Sequence, residues 1–316
     1  MNNKPSFSII SPVYGAAKIL HELVDRINQA VLRITDDYEI ILVEDNSPDN
    51  SWEIIESLSK QNPKVKGLRL SRNFGQQYAL AAGFDHARGD WVVTIDCDLQ
   101  DDPAFIYDLY SEALNNYDVV FASRKNRQDG IIKKLGSRVF YAMLGYLTDT
   151  IQDHSIANFI LYRRTAVDAM AKIGDFYRYY PMLNKWIGFK TIKKEIPHSK
   201  RVDGKKSSYS MRKRIALAFT TIIAFSDKPL RIVLKVGLFL VLLSTIFAIV
   251  LIVMYFVQEK TVSGWLSVFV SIWFFFGIII SILGLIGTYI GKIFETVKRR
   301  PTYLISQQTN SSHGPG

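Results

Sequence analysis

The sequence predicts an α/β protein built on a mostly parallel β-sheet, with a pair of membrane-spanning helices toward its C-terminus. Two observations predict the first part. Between residues 7 and 122, β-branched apolar runs alternate with amphipathic helical stretches. That order produces a parallel sheet with helices on both faces. The apolar runs are also nearly continuous, as expected of strands buried on both sides. The third observation is two uncharged apolar stretches, 236–257 of 22 residues and 264–291 of 28. At about 1.5 Å per helical residue, each exceeds the roughly 30 Å of a bilayer core.

In chain order, residues 7–12 read as the first strand and 17–34 as the helix that follows. Residues 39–44 form the second strand, ending in Asp45-Asn46-Ser47-Pro48-Asp49. That turn leads into a helix over 51–61, with Asp49 or Asn50 as its N-cap. Residues 65–70 are the third strand, 76–88 a helix, 91–95 the fourth strand, 103–116 a helix and 119–122 the fifth strand. Beyond Ile131 the pattern loosens. Residues 133–147 look helical, 153–162 run from a loop into a strand, and 191–197 are strand-like. Residues 198–210 are basic and serine-rich and read as a mobile loop. Residues 211–225 form a basic amphipathic helix suited to the headgroup plane. The tail beyond Tyr303 is polar and is expected to be disordered.

The chain has 316 residues, a net charge of +10 and one cysteine, Cys97. The lone cysteine excludes an internal disulfide and any metal site needing two thiolates. Ten lysines and arginines lie between Lys200 and Lys235, and Lys292, Lys298, Arg299 and Arg300 follow the second apolar stretch. The connection 258–263 is short and nearly neutral. Positive charge at both outer ends predicts a hairpin in the inner (plasma) membrane with both termini cytoplasmic. No signal peptide is expected, because Ile9-Ile10 sits inside a strand-like run. The organisation that follows is a soluble domain over 1–210, a juxtamembrane segment over 211–229, two transmembrane helices over 230–291 and a cytoplasmic tail over 292–316. Gly277, Gly284, Gly287 and Gly291 suit close helix packing, so a homo-oligomer is expected. The partners expected are the lipid bilayer and small molecules, with no nucleic acid.

The most pointed motif is Asp96-Cys97-Asp98-Leu99-Gln100-Asp101-Asp102-Pro103. In extended backbone, residues i and i+2 share a face, so Asp96 and Asp98 can aim two carboxylates at one point. Hard oxygen ligands at the mouth of a buried strand suit Mg²⁺ or Mn²⁺ carrying a diphosphate. Taken alone, the pair reads more readily as an acidic turn before a helix starting near Pro103. Context favours the ligand reading. In sheets of this class ligands bind beyond the carboxyl ends of the strands. Tyr14, Asp45, Arg72-Asn73 and Asp96/Asp98 all follow such ends. Each has an ordinary alternative: a packed aromatic, a turn residue, a surface charge. Their convergence on one rim does not.

The series Ser11-Pro12-Val13-Tyr14, Val43-Glu44-Asp45-Asn46-Ser47-Pro48-Asp49, Arg72-Asn73-Phe74-Gly75 and Asp96 to Pro103 resembles family 2 glycosyltransferases with a GT-A fold. Within that family the chain is similar to polyprenyl-phosphate glycosyltransferases of the dolichyl-phosphate mannose synthase type. The likeness extends to Trp186-Ile187-Gly188-Phe189, to Arg201…Gly204…Ser208-Tyr209 and to the helical hairpin. It implies that residues 1–210 are a Rossmann-like nucleotide-sugar-binding catalytic domain. It also implies a nucleotide-sugar donor, a polyisoprenyl-phosphate acceptor and Mg²⁺ or Mn²⁺. By position, Pro12 and Tyr14 would line the base pocket, with Arg72 also on the donor side. Asp45 would bind base or ribose, and Asp96 ribose or sugar. Asp98 with Gln100 would hold the metal, and Arg124, Arg201, Ser207 and Ser208 would grip the acceptor phosphate. Two departures stand out. Gly15-Ala16 follows Tyr14 where the family often has Asn-Glu, and Asn158 occupies a slot where it commonly has an aspartate base.

The second departure is chemically tolerable. A phosphate monoester has a second pKa near 6 and is mostly dianionic at pH 7. Such an acceptor needs positioning and charge relief, not proton removal, so Asn158 or Asp153 would orient groups. Two other readings compete. A processive polysaccharide synthase usually carries a Gln-x-x-Arg-Trp segment, which is absent here. A non-catalytic nucleotide-sugar-binding membrane protein would need no intact Asp96/Asp98/Gln100 set.

Overall fold

The computed structural model describes residues 4–124, 145, 156–173, 180–197, 222–223, 226–258 and 264–310. The chain divides into two compact units. One comprises Met1–Ser137, Gln152–Ser208 and Pro301–Gly316, the other Arg138–Ile151 and Tyr209–Arg300.

The first unit is organised by strands β1 (Phe7–Val13), β2 (Tyr38–Glu44), β3 (Val65–Leu70), β4 (Trp91–Thr94), β5 (Val119–Arg124), β6 (Ile156–Arg163), β7 (Thr191–Ile196) and β8 (Ile305–Gln308). They form one sheet in the order β7-β5-β6-β4-β1-β2-β3-β8. β1 is central and parallel to both neighbours, with Ile10 opposite Ile41 on one side and Thr94 on the other. β6 runs antiparallel to β4 and β5, and β8 antiparallel to β3. The expected mostly parallel α/β architecture is therefore present, with two reversed strands.

The helices of this unit are α1 (Leu20–Val31), α2 (Ser51–Gln61), α3 (Gln76–His86), α4 (Ile106–Ala113), α5 (Arg164–Ala171) and α6 (Tyr180–Trp186). Successive strand residues point to opposite faces. Phe7, Ile9, Val13, Ile40 and Leu42 join Leu20, Leu23 and Ile27 of α1 and Trp52 and Ile55 of α2 in one buried cluster. Each such fully buried side chain contributes about 1.5–3 kcal/mol of transfer free energy. On the other face α3 sits so close to β1 that a Cβ at Gly83 would lie 2.2 Å from Ile10 Cγ2. Phe84 of α3 meets Tyr162 of β6 edge-on at 5.4 Å. The helix expected over 103–116 opens as a 3₁₀ turn, Pro103–Phe105, because Asp102 Oδ1 accepts from the Ala104 amide at 3.0 Å.

One expectation is overturned. The tail beyond Tyr303 is not disordered as far as it is described: residues 305–308 are β8, covering the edge of β3. Its polar side chains hide the strand in the sequence, and hydrogen bonds hold it in place of apolar burial. Thr309 Oγ1 accepts from Gly67 N at 2.8 Å, and Asn310 Nδ2 donates to the Ser59 and Val65 carbonyls.

The second unit contains α7 (Lys228–Gln258) and α8 (Trp265–Val297). Tyr289, near the end of α8, donates to the Ser226 carbonyl just before α7 at 2.8 Å. The start of one helix therefore lies beside the end of the other. Among the described residues, Ser271–Val297 is long and apolar enough to cross a membrane. The helices expected over 133–147 and 211–225 fall largely outside the described residues.

Candidate active site

The site is built from loops at the carboxyl ends of β1, β2, β3 and β4. Each loop takes one residue through left-handed backbone: Gly15 (φ 65°), Asn46 (φ 51°), Gly75 (φ 100°) and Leu99 (φ 55°). Gly and Asn adopt this region at small cost. Leu99 does not, and its burial holds it there. Strain of this kind gathers at functional turns, and this one lies between Asp98 and Gln100.

Pro12 is buried near the end of β1. Ile10 points its carbonyl to β4, accepting from Ile95 N, and Val13 points its carbonyl to β2, accepting from Asp45 N. By that alternation Pro12 faces the β4 side, beyond the last pair, Ile10 with Thr94. Its missing N–H costs no ladder bond. Tyr14 follows and stands 54 % exposed. The next two residues are tied to the β2–α2 loop: Gly15 N donates to Ser47 Oγ (3.1 Å) and Ala16 N to Ser51 Oγ (3.3 Å). Ala17 N donates to Asp49 Oδ2 at 3.1 Å. Burial raises the Asp49 pKa, but the Ser51 hydroxyl and the Ala17 and Ser51 amides outweigh it, and the group sits below the usual carboxylate range.

Asp45 is buried at the end of β2. Its two oxygens accept from Phe74 N at 2.7 Å and Gly75 N at 2.8 Å. The carboxylate thus anchors the Arg72–Gly75 loop at the entrance to α3, where the helix dipole favours an anion. Burial nonetheless raises its pKa, against the pull of those amides. Arg72 is exposed, with its guanidinium 4.1 Å over the Phe74 ring.

Asp96 and Asp98 follow β4 and are half-buried. Asp96 Oδ1 accepts from Gln76 Nε2 at 2.7 Å, and Asn158 Nδ2 lies 3.1 Å from Asp96 Oδ2. Asn158 is positioned by β6, and its carbonyl accepts from the buried Thr94 hydroxyl at 2.8 Å. Asp98 Oδ1 accepts from Gln100 N at 3.2 Å, closing the turn that brings both side chains to the rim. The Cys97 thiol between them is pushed up to about 12, first by burial and then by the Asp96 charge, so it stays protonated at neutral pH.

Among the described residues no three His, Cys, Asp or Glu side chains converge on a metal position. Asp98 and Gln100 supply hard oxygens, too few for a structural metal cage. They fit an ion of the Mg²⁺ or Mn²⁺ type, which binds one or two carboxylates and takes its remaining ligands from phosphates and water. Arg124 ends β5. Asp153, Arg201, Ser207 and Ser208 lie outside the described residues. Gln76 escapes sequence reading: a glutamine opening a helix carries no signal until the fold brings it to Asp96.

Residues 8–170 match the model of glycosyl transferase family 2. The glycosyltransferase YkcC of Bacillus subtilis is 32% identical over 308 residues, covering 97% of this chain and 95% of that protein. The undecaprenyl-phosphate 4-deoxy-4-formamido-L-arabinose transferase of Aeromonas hydrophila is 32% identical over 311 residues, 98% of this chain and 95% of that protein. Among solved structures, the mannosyltransferase PcManGT of Pyrobaculum calidifontis, in complex with GDP-Man and Mn²⁺, superposes with a TM-score of 0.50 at 19% identity. That match covers 73% of this chain and 65% of that one and shares its GT-A fold.

Proposed function

The chain belongs to glycosyl transferase family 2, and from that premise we propose that it moves a sugar from a nucleotide-sugar donor to a polyisoprenyl phosphate at the membrane surface. The observation that carries this is the gathering of Tyr14, Asp45, Arg72, Asp96 and Asp98 on one rim of the sheet. The acceptor class is favoured by the Aeromonas relative, whose name states an undecaprenyl-phosphate acceptor and which aligns along nearly the whole chain. The helix Ser271–Val297, long and apolar enough to cross a bilayer, suits an acceptor that stays in one. The donor expected is a UDP-sugar, with a GDP-sugar as the alternative.

In this reading Pro12 and Tyr14 line the base pocket, Asp45 holds base or ribose, and Arg72 faces the diphosphate. Asp96 contacts ribose or sugar. Asp98 and Gln100 hold a divalent cation, which, when bound, stabilises the departing diphosphate as a Lewis acid. Arg124, Arg201, Ser207 and Ser208 hold the acceptor phosphate. Arginine suits that task because its fork matches phosphate oxygens. The acceptor oxygen forms a bond to the anomeric carbon while the bond from that carbon to the diphosphate breaks, with inversion. The electron pair leaves with the nucleoside diphosphate. An acceptor already dianionic gives up no proton, so Asn158 or Asp153 orients groups. Alignment of this kind is worth on the order of 7–11 kcal/mol.

The test is transfer by the full chain in detergent. Undecaprenyl phosphate is offered with a panel of UDP- and GDP-sugars and Mn²⁺ or Mg²⁺. One donor should react. EDTA should abolish turnover, and Asp98→Ala should lower it by roughly 100-fold or more, in line with loss of a metal ligand. A panel in which no donor reacts, or transfer indifferent to EDTA, rejects the proposal.

A further inference from the structure

Among the described residues, Asp96 is reached by two side-chain amides from elements far apart in sequence. Gln76 opens α3 and donates through Nε2 to Oδ1 at 2.7 Å. Asn158 comes from β6 and donates through Nδ2, 3.1 Å from Oδ2 and 3.4 Å from Oδ1. The orientation of both amides is dictated, because an ionised carboxylate only accepts and the NH₂ ends must face it. Each amide is itself held. Asn158 is fixed through its carbonyl by Thr94. Gln76 follows directly on the loop whose Phe74 and Gly75 amides bind Asp45. The neighbouring Gln77 accepts through Oε1 from the amide of Tyr180, at the start of α6.

We infer that Gln76 and Asn158 are a pair of positioning residues that clamp Asp96 in the orientation used to bind the donor. Asn158 therefore serves as a hydrogen-bond donor and not as a stand-in for a proton acceptor. A neutral amide orients a carboxylate by hydrogen bonding and does not itself neutralise the charge. A carboxylate at position 158 would instead face Asp96 at hydrogen-bond distance with like charge.

The inference rests on the reading of Asp96 as a donor contact, so the experiment includes Asp96→Asn beside the clamp variants. Each is assayed as full chain in detergent with the donor that reacts in the panel above. Gln76 is exposed, so Gln76→Met should leave the melting temperature within about 2 °C of wild type. It should raise the donor KM roughly tenfold, the usual size of a supporting-shell defect, with the acceptor KM unchanged. Gln76→Glu, the same size, should be worse than Gln76→Met because it sets a second carboxylate against Asp96. Asn158→Asp should be worse than Asn158→Leu. A role in folding alone would lower stability and would not rank these pairs by charge. Donor KM within twofold of wild type for Gln76→Met overturns the clamp, as does Gln76→Glu matching or exceeding Gln76→Met, or a rise in kcat for Asn158→Asp. If Asp96→Asn is itself neutral, the donor role of Asp96 fails first and the clamp falls with it. A panel with no reacting donor removes both.

Discussion

At the scale of single residues, the site is a set of carboxylates each given a different employer. Asp45 illustrates the gap between identity and role. Its place after a strand marks it as a rim residue, but in the free protein both oxygens serve the Phe74 and Gly75 amides. Asp45→Asn tests that double duty. The amide keeps one acceptor and turns a donor toward a backbone N–H that also donates. The cost should be about 1–2 kcal/mol of stability. Loosening the Arg72–Gly75 loop should also raise the donor KM roughly tenfold. Thermal unfolding and donor titration read the two effects separately. A stability loss with unchanged donor affinity would leave Asp45 a structural pin only. The sequence marked Asp45, Asp96 and Asp98 because polar residues after apolar strands are conspicuous. It did not mark Gln76, whose importance depends on a partner 20 positions away. Nor did it mark the serines at 47 and 51, which look like ordinary turn residues until Gly15 and Ala16 are seen to donate to them.

At the scale of elements, β1 to β4 and their helices are legible because period and composition agree: apolar strands, amphipathic helices, punctuating turns. The direction of β6 is not legible, because Ile156–Arg163 has the composition of any buried strand and only pairing reverses it. Helix α3 is a harder case. Its apolar residues do not lie on one side, since it is buried by the sheet below and by Tyr162 and Tyr180 beside Phe84. Its seat on β1 depends on Gly83. An added methyl would meet Ile10 Cγ2 at 2.2 Å, and Ile10 is fully buried and β-branched, so it cannot swing aside. Gly83→Ala gains about 1 kcal/mol of helix propensity against an overpacking cost of about 1–3 kcal/mol. A net loss of roughly 1 kcal/mol is expected. Because α3 begins with Gln76, the displacement should also weaken donor binding. Combining Gly83→Ala with Ile10→Ala should recover part of the loss, a non-additivity that contacting residues show. Strict additivity in thermal unfolding would mean that α3 is not seated by this contact.

At the scale of the whole molecule, the C-terminal strand bears on the expected topology. The positive flanks of the two apolar stretches argue that their outer ends share the cytoplasmic side. β8 adds an independent constraint. It begins at Ile305, soon after α8 ends at Val297, and it is hydrogen-bonded into the sheet that carries the candidate site. Seven residues separate Val297 from Ile305, so the expected hairpin has the end of α8 on the side of the membrane that faces that sheet. Tyr289 bonded to the Ser226 carbonyl brings the start of α7 to the same end of the helix pair. The expected hairpin then predicts that the connection after Gln258 is on the opposite side. A cysteine scan in a Cys97→Ser background can read this directly, because Cys97 is the only native cysteine. In intact cells, Thr261→Cys should react with a membrane-impermeant maleimide. Ser306→Cys, on β8, should react only after lysis. Labelling of Ser306→Cys from outside would put the sheet on the outer face, away from any cytosolic nucleotide sugar. Equal protection of both sites until lysis would mean that the helices lie on the membrane without crossing it, and the hairpin would have to be abandoned.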